Sequence, residues 1–538
     1  MPDLRQKKFI KGAFTLGTAA LIAKLMGFVF RIILPRLIGG EGVGLYQLAY
    51  PIYTTLLMVS TSGIPIALAK LISDRTAKNQ ELKAYRIFRV CLFLNIVIGL
   101  LLSLVMFFSA ESVIELFKWD NRVFYSVIAL VPAVFFVSIV AAYRGFFQGL
   151  QNMFPTALSQ VVEQFIRIVT MLILVVILLP YGIEYAAAGA TFGATTGSIA
   201  GLLVLIYIYY QKKEEFWSLL PDINLEKLHI KRHAKKIIYL AAPVTFGALI
   251  TPLMSFIDAA IVPSRLLAGG FDNVLELYGH LSGMAMVLVH FPTIITLSLA
   301  TSLMPAISEA KAIDDKNLIQ ERLKTALRST IIIALPAAVG LYQLAEPLST
   351  VLFDSPQAAV PLQVMAWSVL FIALKQVSAA TLQGMGHVFI PARNLLAGAL
   401  INAILNFSLT GYLGIRGAAL GTLAGFVLTS CLNLFNTYQK TDADLKGWGK
   451  LFLRPLLGVL IMVLIIEFSL MPLEIIFDLL WAGYGYYLAV FMIVFIAMFV
   501  YFGMLLLLGE IRYSDLILVP RLGQPLADWL LDHGFIKK

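Results

Sequence analysis

The chain has 538 residues, 59% of them hydrophobic and 13% charged, with a formal charge of +10. One soluble core of this size cannot hide so much apolar surface, so lipid must be the solvent for much of it. The basic residues lie in short clusters between apolar runs, which argues against a nucleic-acid partner and for loops held at an anionic leaflet.

Arg5, Lys7, Lys8 and Lys11 precede the first apolar run, as they would in a secretory leader. That run continues for a full span, Lys24 and Arg31 interrupt it, and no small-residue cleavage site closes it. It reads as a retained helix. Runs of about 20 mostly apolar residues predict helices near 12–38, 44–72, 84–109, 122–146, 158–180 and 185–211. A second set follows at 236–262, 277–309, 324–349, 359–384, 389–411 and 416–439, and a last pair at 449–470 and 482–508. The expected fold is an all-α polytopic membrane protein of about fourteen helices. Its expected parts are a six-helix lobe (1–211), a cytoplasmic linker (212–235), a second six-helix lobe (236–439), and a helix pair with a tail (440–538).

Loop charge tests that count. With the N-terminus inside, alternate loops carry Arg75, Lys78, Lys83 and Arg86, then Lys212, Lys213, Lys227, Lys231, Arg232, Lys235 and Lys236. Later ones carry Lys311, Lys316, Arg322 and Lys324, then Lys440, Lys446 and Lys450, with Arg512, Arg521, Lys537 and Lys538 in the tail. Opposite loops hold little beyond Lys118 and Arg265. The alternation stays in phase to the end, which predicts an even number of spans with both termini cytoplasmic. Cys91 and Cys431 both fall inside apolar runs and read as packing residues.

The halves resemble each other at a separation of roughly 230 residues. Gln148-Gly149 leading to Phe154-Pro155 is echoed by Gln383-Gly384 leading to Phe389-Ile390-Pro391. GIEYAAAGATFG from Gly182 is echoed by GIRGAALGTLAG from Gly414. Six helices is an even number, so such repeats share one orientation, and substrate sites commonly lie at their interface. The glycines four apart in both segments are packing residues.

Ionisable groups at membrane depth are costly unless they meet water or a partner. Lys24 and Arg31 are two helical turns apart on one face of the first span, about 10 Å along the axis. They either line a wet cavity, where a phosphate or pyrophosphate would offset their desolvation, or pair with another helix. Arg36 and Arg144 sit near span ends, where they can snorkel to the interface. Glu163 and Arg167 are four apart in the fifth span and can pair with each other. His290 is a polar group at an expected bend before Phe291-Pro292. In the second half Asp258, Asn402, Asn406 and Thr422 fall at a common depth, roughly 6–13 Å below the outer boundary. They could offer hard oxygen ligands to a small cation, or form an interhelical hydrogen-bond network around a protonated Asp258.

The stretch KLMGFVFRIILPRLIGGEGVGLY from Lys24 resembles the first-helix signature of the polysaccharide-transporter branch of the MOP exporter superfamily. Within it the chain is similar to the group of stage V sporulation protein B and the MurJ-type lipid II flippases. Phe291-Pro292 leading to Leu303-Met304-Pro305-Ala306-Ile307-Ser308 resembles the flippases' eighth helix. The resemblance implies two six-helix lobes around a central cavity, with the last two helices forming a groove for a polyprenyl tail. It implies a bacterial plasma-membrane transporter that flips an undecaprenyl-pyrophosphate-linked sugar to the outer leaflet by alternating access. The implied partners are that anionic glycan lipid and membrane lipid, and the chain is expected to be a monomer. Lys24 and Arg31 match cationic cavity positions of the family, with Glu163, Arg167 and His290 as further cavity candidates. Asp258, Asn402, Asn406, Ala418 (through its carbonyl) and Thr422 match the places of a sodium site in the flippases, which makes Na+ the implied coupling ion.

The chain also departs from the flippases. They carry arginine where it reads Tyr53-Thr54-Thr55 and again at Val287, and an acidic residue where it has His290. The implied cationic cavity is therefore thinner. A multidrug exporter of the same superfamily is the alternative, although Lys24 and Arg31 would repel cationic drugs. For an enzyme the sequence offers only Asp442-Ala443-Asp444 on a short loop, with no phosphate-binding glycine loop.

Overall fold

The computed structural model of the chain describes residues 2–217, 230–442, 448–480, 484–510 and 523–532. Nearly all of these are helical. The first unit of structure runs α1 (Pro2–Thr61), α2 (Gly63–Thr76), α3 (Glu81–Leu116), α4 (Val123–Gly149), α5 (Phe154–Leu178), α6 (Ile183–Trp217), α7 (Ile230–Ala268) and α8 (Val274–Tyr278). A π-helical turn, Gly279–Ala285, leads to α9 (Met286–Ala312) and α10 (Lys316–Gln343). Next come α11 (Ala345–Phe353), α12 (Ala359–Met365), α13 (Ser368–Gly384), α14 (Phe389–Leu413) and α15 (Ile415–Thr441). The chain finishes with α16 (Trp448–Leu480), α17 (Gly485–Leu507) and α18 (Gly523–Asp532). Lys227, Lys446, Arg512, Arg521, Lys537 and Lys538 lie outside the described residues, as does Asp444 of the acidic tripeptide.

Among the described residues twelve helices are long and apolar enough to cross a membrane, or thirteen with one bent pair. One of the twelve is the 62-residue stretch Thr15–Thr76. At about 1.5 Å per residue it is about 93 Å long, three times a hydrocarbon core of about 30 Å. Gly39 divides it, with φ 64° and ψ −177°, torsions that glycine adopts and a residue with a Cβ does not. A stretch of that length is consistent with two crossings, and with the bent pair it agrees with the expected fourteen.

Three expected helices are broken. The one near 44–72 breaks at Ser62, whose hydroxyl donates to the Met58 carbonyl at 2.7 Å, and resumes to Thr76. The one near 324–349 is α10 followed by α11, because Pro347 cannot continue a helix but fits its first turn. The one near 359–384 is α12 followed by α13, and the pair bends by 44°.

The chain divides into two compact units, Met1–Gly283 and Met284–Lys538. The lobe boundaries expected from the repeat lie earlier, at 211 and 236. Compactness divides the chain later because α7 packs along α1 and α2, with Gly63 set directly on the Ala241 carbonyl.

In the first unit Leu68, Ile72, Phe88, Tyr143, Phe146 and Tyr209 form a buried cluster where α2, α3, α4 and α6 meet. The Phe88 and Phe146 rings lie 4.3 Å apart. The α5–α6 pair approaches closely, since a Cβ added at Gly197 would lie 2.6 Å from the Glu163 carbonyl oxygen. In the second unit α14 and α15 pack as closely, with Gly421 against the Asn406 amide. Echoes in the sequence are echoes in the backbone. Gln151 and Gly386 carry positive φ in the turns before α5 and α14, and Gly182 and Gly414 carry it before α6 and α15.

Candidate functional site

Lys24 and Arg31 are both exposed on the surface of α1. Neither forms an ion pair or a hydrogen bond with a described group. Tyr46, further along α1, is buried. Tyr46 in turn stacks on Tyr50 with ring centroids 5.4 Å apart.

The second charged group is built by three helices. Glu163 on α5 accepts from Arg167 one turn along the same helix, at 2.8 Å, and from Arg144 on α4, also at 2.8 Å. Arg144 Nε further donates to Ser159 Oγ at 3.0 Å. All three charged side chains are 13–17% exposed. One carboxylate thus holds two guanidiniums, leaving a single excess positive charge. Arg144 therefore does not snorkel to the interface: the short turn at Leu150–Met153 brings α5 back beside α4 and turns it onto Glu163. The triad borders a chamber of about 520 Å³ that Tyr50, Tyr53 and Gln160 also line.

His290 stands apart from this cluster in the chain, in the second unit, exposed on α9 with its carbonyl accepting from Thr293 Oγ1 at 2.8 Å.

Of the candidate cation ligands, Asp258 is half-buried on α7 in the first unit. Asn402 and Asn406 on α14, and Ala418 and Thr422 on α15, are buried in the second. Thr422 Oγ1 donates to the Ala418 carbonyl at 3.1 Å. Two amides, a hydroxyl and a carbonyl make an all-oxygen donor set, which suits a hard monovalent ion. Among the described residues no three His, Cys, Asp or Glu side chains gather to hold a metal.

Several charged groups escaped the sequence reading. Lys375 lies midway along α13, its ammonium 4.9 Å from the Phe426 ring centroid. A lysine in the middle of an apolar run was signal enough to find it. Arg328 on α10 and Arg454 on α16 grip Glu510 at 2.9 and 3.0 Å, and this triad ties the trailing pair to α10 within the second unit. On a loop of the first unit Arg122 bridges Asp120 at 2.8 Å and Glu41 at 2.7 Å. Burial pushes the Asp120 carboxyl up, but hydrogen bonds and charge from Arg122 outweigh it and hold the group below the usual carboxylate range.

The family model described as polysaccharide biosynthesis protein matches residues 9–311, and one described as MatE matches residues 243–408. Stage V sporulation protein B of Bacillus subtilis is 34% identical over 453 residues, covering 82% of this chain and 86% of that protein. The lipid II flippase MurJ of Bacillus subtilis is 28% identical over 440 residues, covering 78% and 80%. Among solved structures, lipid II flippase MurJ in an inward closed conformation aligns with a TM-score of 0.67 at 17% identity, over 93% of this chain and 99% of that one. At that identity the likeness is one of fold.

Proposed function

This chain belongs to the polysaccharide biosynthesis protein family, and we propose on that premise that it flips an undecaprenyl-pyrophosphate-linked sugar, lipid II or another wall or polysaccharide precursor, from the inner to the outer leaflet. It is a multi-span membrane protein, and its role is transport by alternating access, with no catalytic residue assigned. The observation that carries the reading is the pair of exposed cations, Lys24 and Arg31, on one face of α1, neither with a partner among the described residues. Two such charges at membrane depth are tolerated where water and an anionic ligand reach them, and a pyrophosphate offers charge-assisted hydrogen bonds to both. The chain acts as a monomer in a bacterial plasma membrane with both termini cytoplasmic. Na+ is the proposed coupling ion; Asn402, Asn406, the Ala418 carbonyl and Thr422 of the second unit are the oxygen donors that would hold it.

The test is transfer of a fluorescent lipid-linked sugar between the leaflets of proteoliposomes. Arg31→Ala should slow transfer about tenfold or more, the worth of a charge-assisted hydrogen bond, with the yield of folded protein unchanged. Absence of any protein-dependent transfer would defeat the proposal, and unchanged transfer in Arg31→Ala would remove that residue from it. The match of residues 243–408 to the MatE model favours a second reading, a multidrug exporter. Cationic drugs should be repelled by Lys24 and Arg31, so measured efflux of such drugs would reverse the order of the two.

A further inference from the structure

We infer that the chamber walled by α1, α2, α4 and α5 receives the sugar ring of the cargo, while the pyrophosphate stays with Lys24 and Arg31. The inference rests on the flippase reading above and assigns a separate place to each end of the headgroup.

Charge separates the two places. The guanidiniums of Arg144 and Arg167 are already bonded to Glu163. A pyrophosphate entering there would meet a carboxylate and a single net positive charge. Lys24 and Arg31 carry two positive charges, and among the described residues no carboxylate is bonded to either. The dianionic group belongs on α1.

The chamber's chemistry suits a neutral, hydroxyl-rich ring. Its volume of about 520 Å³ falls in the range of small-molecule sites, about 300–1,000 Å³. Sugar hydroxyls both donate and accept, so they are matched by planar groups that offer both kinds of partner. The chamber presents the guanidiniums, the Glu163 carboxylate and the Gln160 amide. The ion bonds fix three of these side chains before any ligand arrives, so little rotamer freedom is left to lose. Half-buried Tyr50, its ring centroid 5.6 Å from that of buried Tyr53, adds an aromatic face for the C–H side of a ring.

The two places also share a helix. Both lie along α1, where Tyr46 stacks on Tyr50 at the chamber's edge with ring centroids 5.4 Å apart.

Binding of two probes to the purified full-length protein tests this: undecaprenyl pyrophosphate, and the same lipid bearing one N-acetylhexosamine. Wild type should bind the sugar-bearing lipid about tenfold more tightly. Gln160→Leu and Tyr50→Leu should each erase that preference without weakening the bare pyrophosphate, and Tyr50→Phe should keep it. Arg31→Ala should weaken both probes alike. Equal affinity of wild type for the two probes, or a Gln160→Leu protein that loses both equally, overturns the sugar chamber and leaves the flippase reading standing. A wild-type protein that binds neither probe overturns the flippase reading itself. If a leucine variant yields no folded protein, the wild-type comparison and Tyr50→Phe decide the matter.

Discussion

The α5–α6 pair and the α14–α15 pair are built alike and filled differently. Each begins after a turn with a residue at positive φ, each is divided by a glycine at positive φ, and each closes through glycines packed on the facing helix. In the first, α5 carries Glu163 and Arg167, and α4 adds Arg144. In the second, α14 carries Asn394, Asn402 and Asn406, all buried, with Asn394 donating to Asn433 and Asn436 on α15 at 2.9 and 2.8 Å. One pair thus balances charge against charge and keeps one positive charge over, while the buried asparagines of the other are neutral amides. The backbone solves the close approach of two helices once, and the side chains then fill each pair differently.

The largest effect should come from the charged half. Glu163→Gln leaves two guanidiniums in a poorly hydrated site without their carboxylate and should cost on the order of 3–5 kcal/mol. Replacing Glu163, Arg144 and Arg167 together by leucine should cost far less, because an apolar set of similar volume needs no counter-charge. Thermal unfolding of the purified protein would show the order, and a triple variant less stable than Glu163→Gln would break it.

A smaller and equal effect is expected from the shared backbone. A Cβ at Gly197 meets the Glu163 carbonyl, and one at Gly421 meets the Asn406 amide. Both alanine variants should lose about 1–3 kcal/mol through overpacking. Values that differ widely would mean that the two crossings are not equivalent.

The smallest effect belongs to charge that water can reach. Arg122, Asp120 and Glu41 are 31–45% exposed, so Asp120→Asn should cost about 0.5 kcal/mol or less. The sign follows from the depressed carboxyl of Asp120. Its contribution is complete above the unfolded value of about 3.9 and disappears as pH falls through the lower folded value. Melting curves of wild type and Asp120→Asn should therefore differ at pH 7 and merge in strong acid.

The spans were readable because apolar length is a local property, and the loop charges kept their count in phase. The breaks at Ser62, Leu344 and Ala366–Trp367 were not, since an apolar run looks the same whether straight or bent. Glu163 with Arg167 was legible as a one-turn spacing. Arg144 was not, because its partner lies 19 positions away across a turn. The grip of Arg328 on Glu510 joins residues 182 apart, a distance at which sequence pattern is silent. Asn402 and Asn406 announced themselves as amides one turn apart, and their burial beside α15 is what the fold adds.

Gly39 shows what torsion alone can demand. Nothing stands within 4 Å of where its Cβ would be, yet its φ is +64°. In a saturation library, codon 39 should accept almost nothing despite the open space around it. Gly17 is just as uncrowded and has no unusual torsion, so it should accept many residues. Selection at the first site would act on the bend of the chain rather than on volume, and a genetic map of tolerance would record it as a strict position that no contact explains.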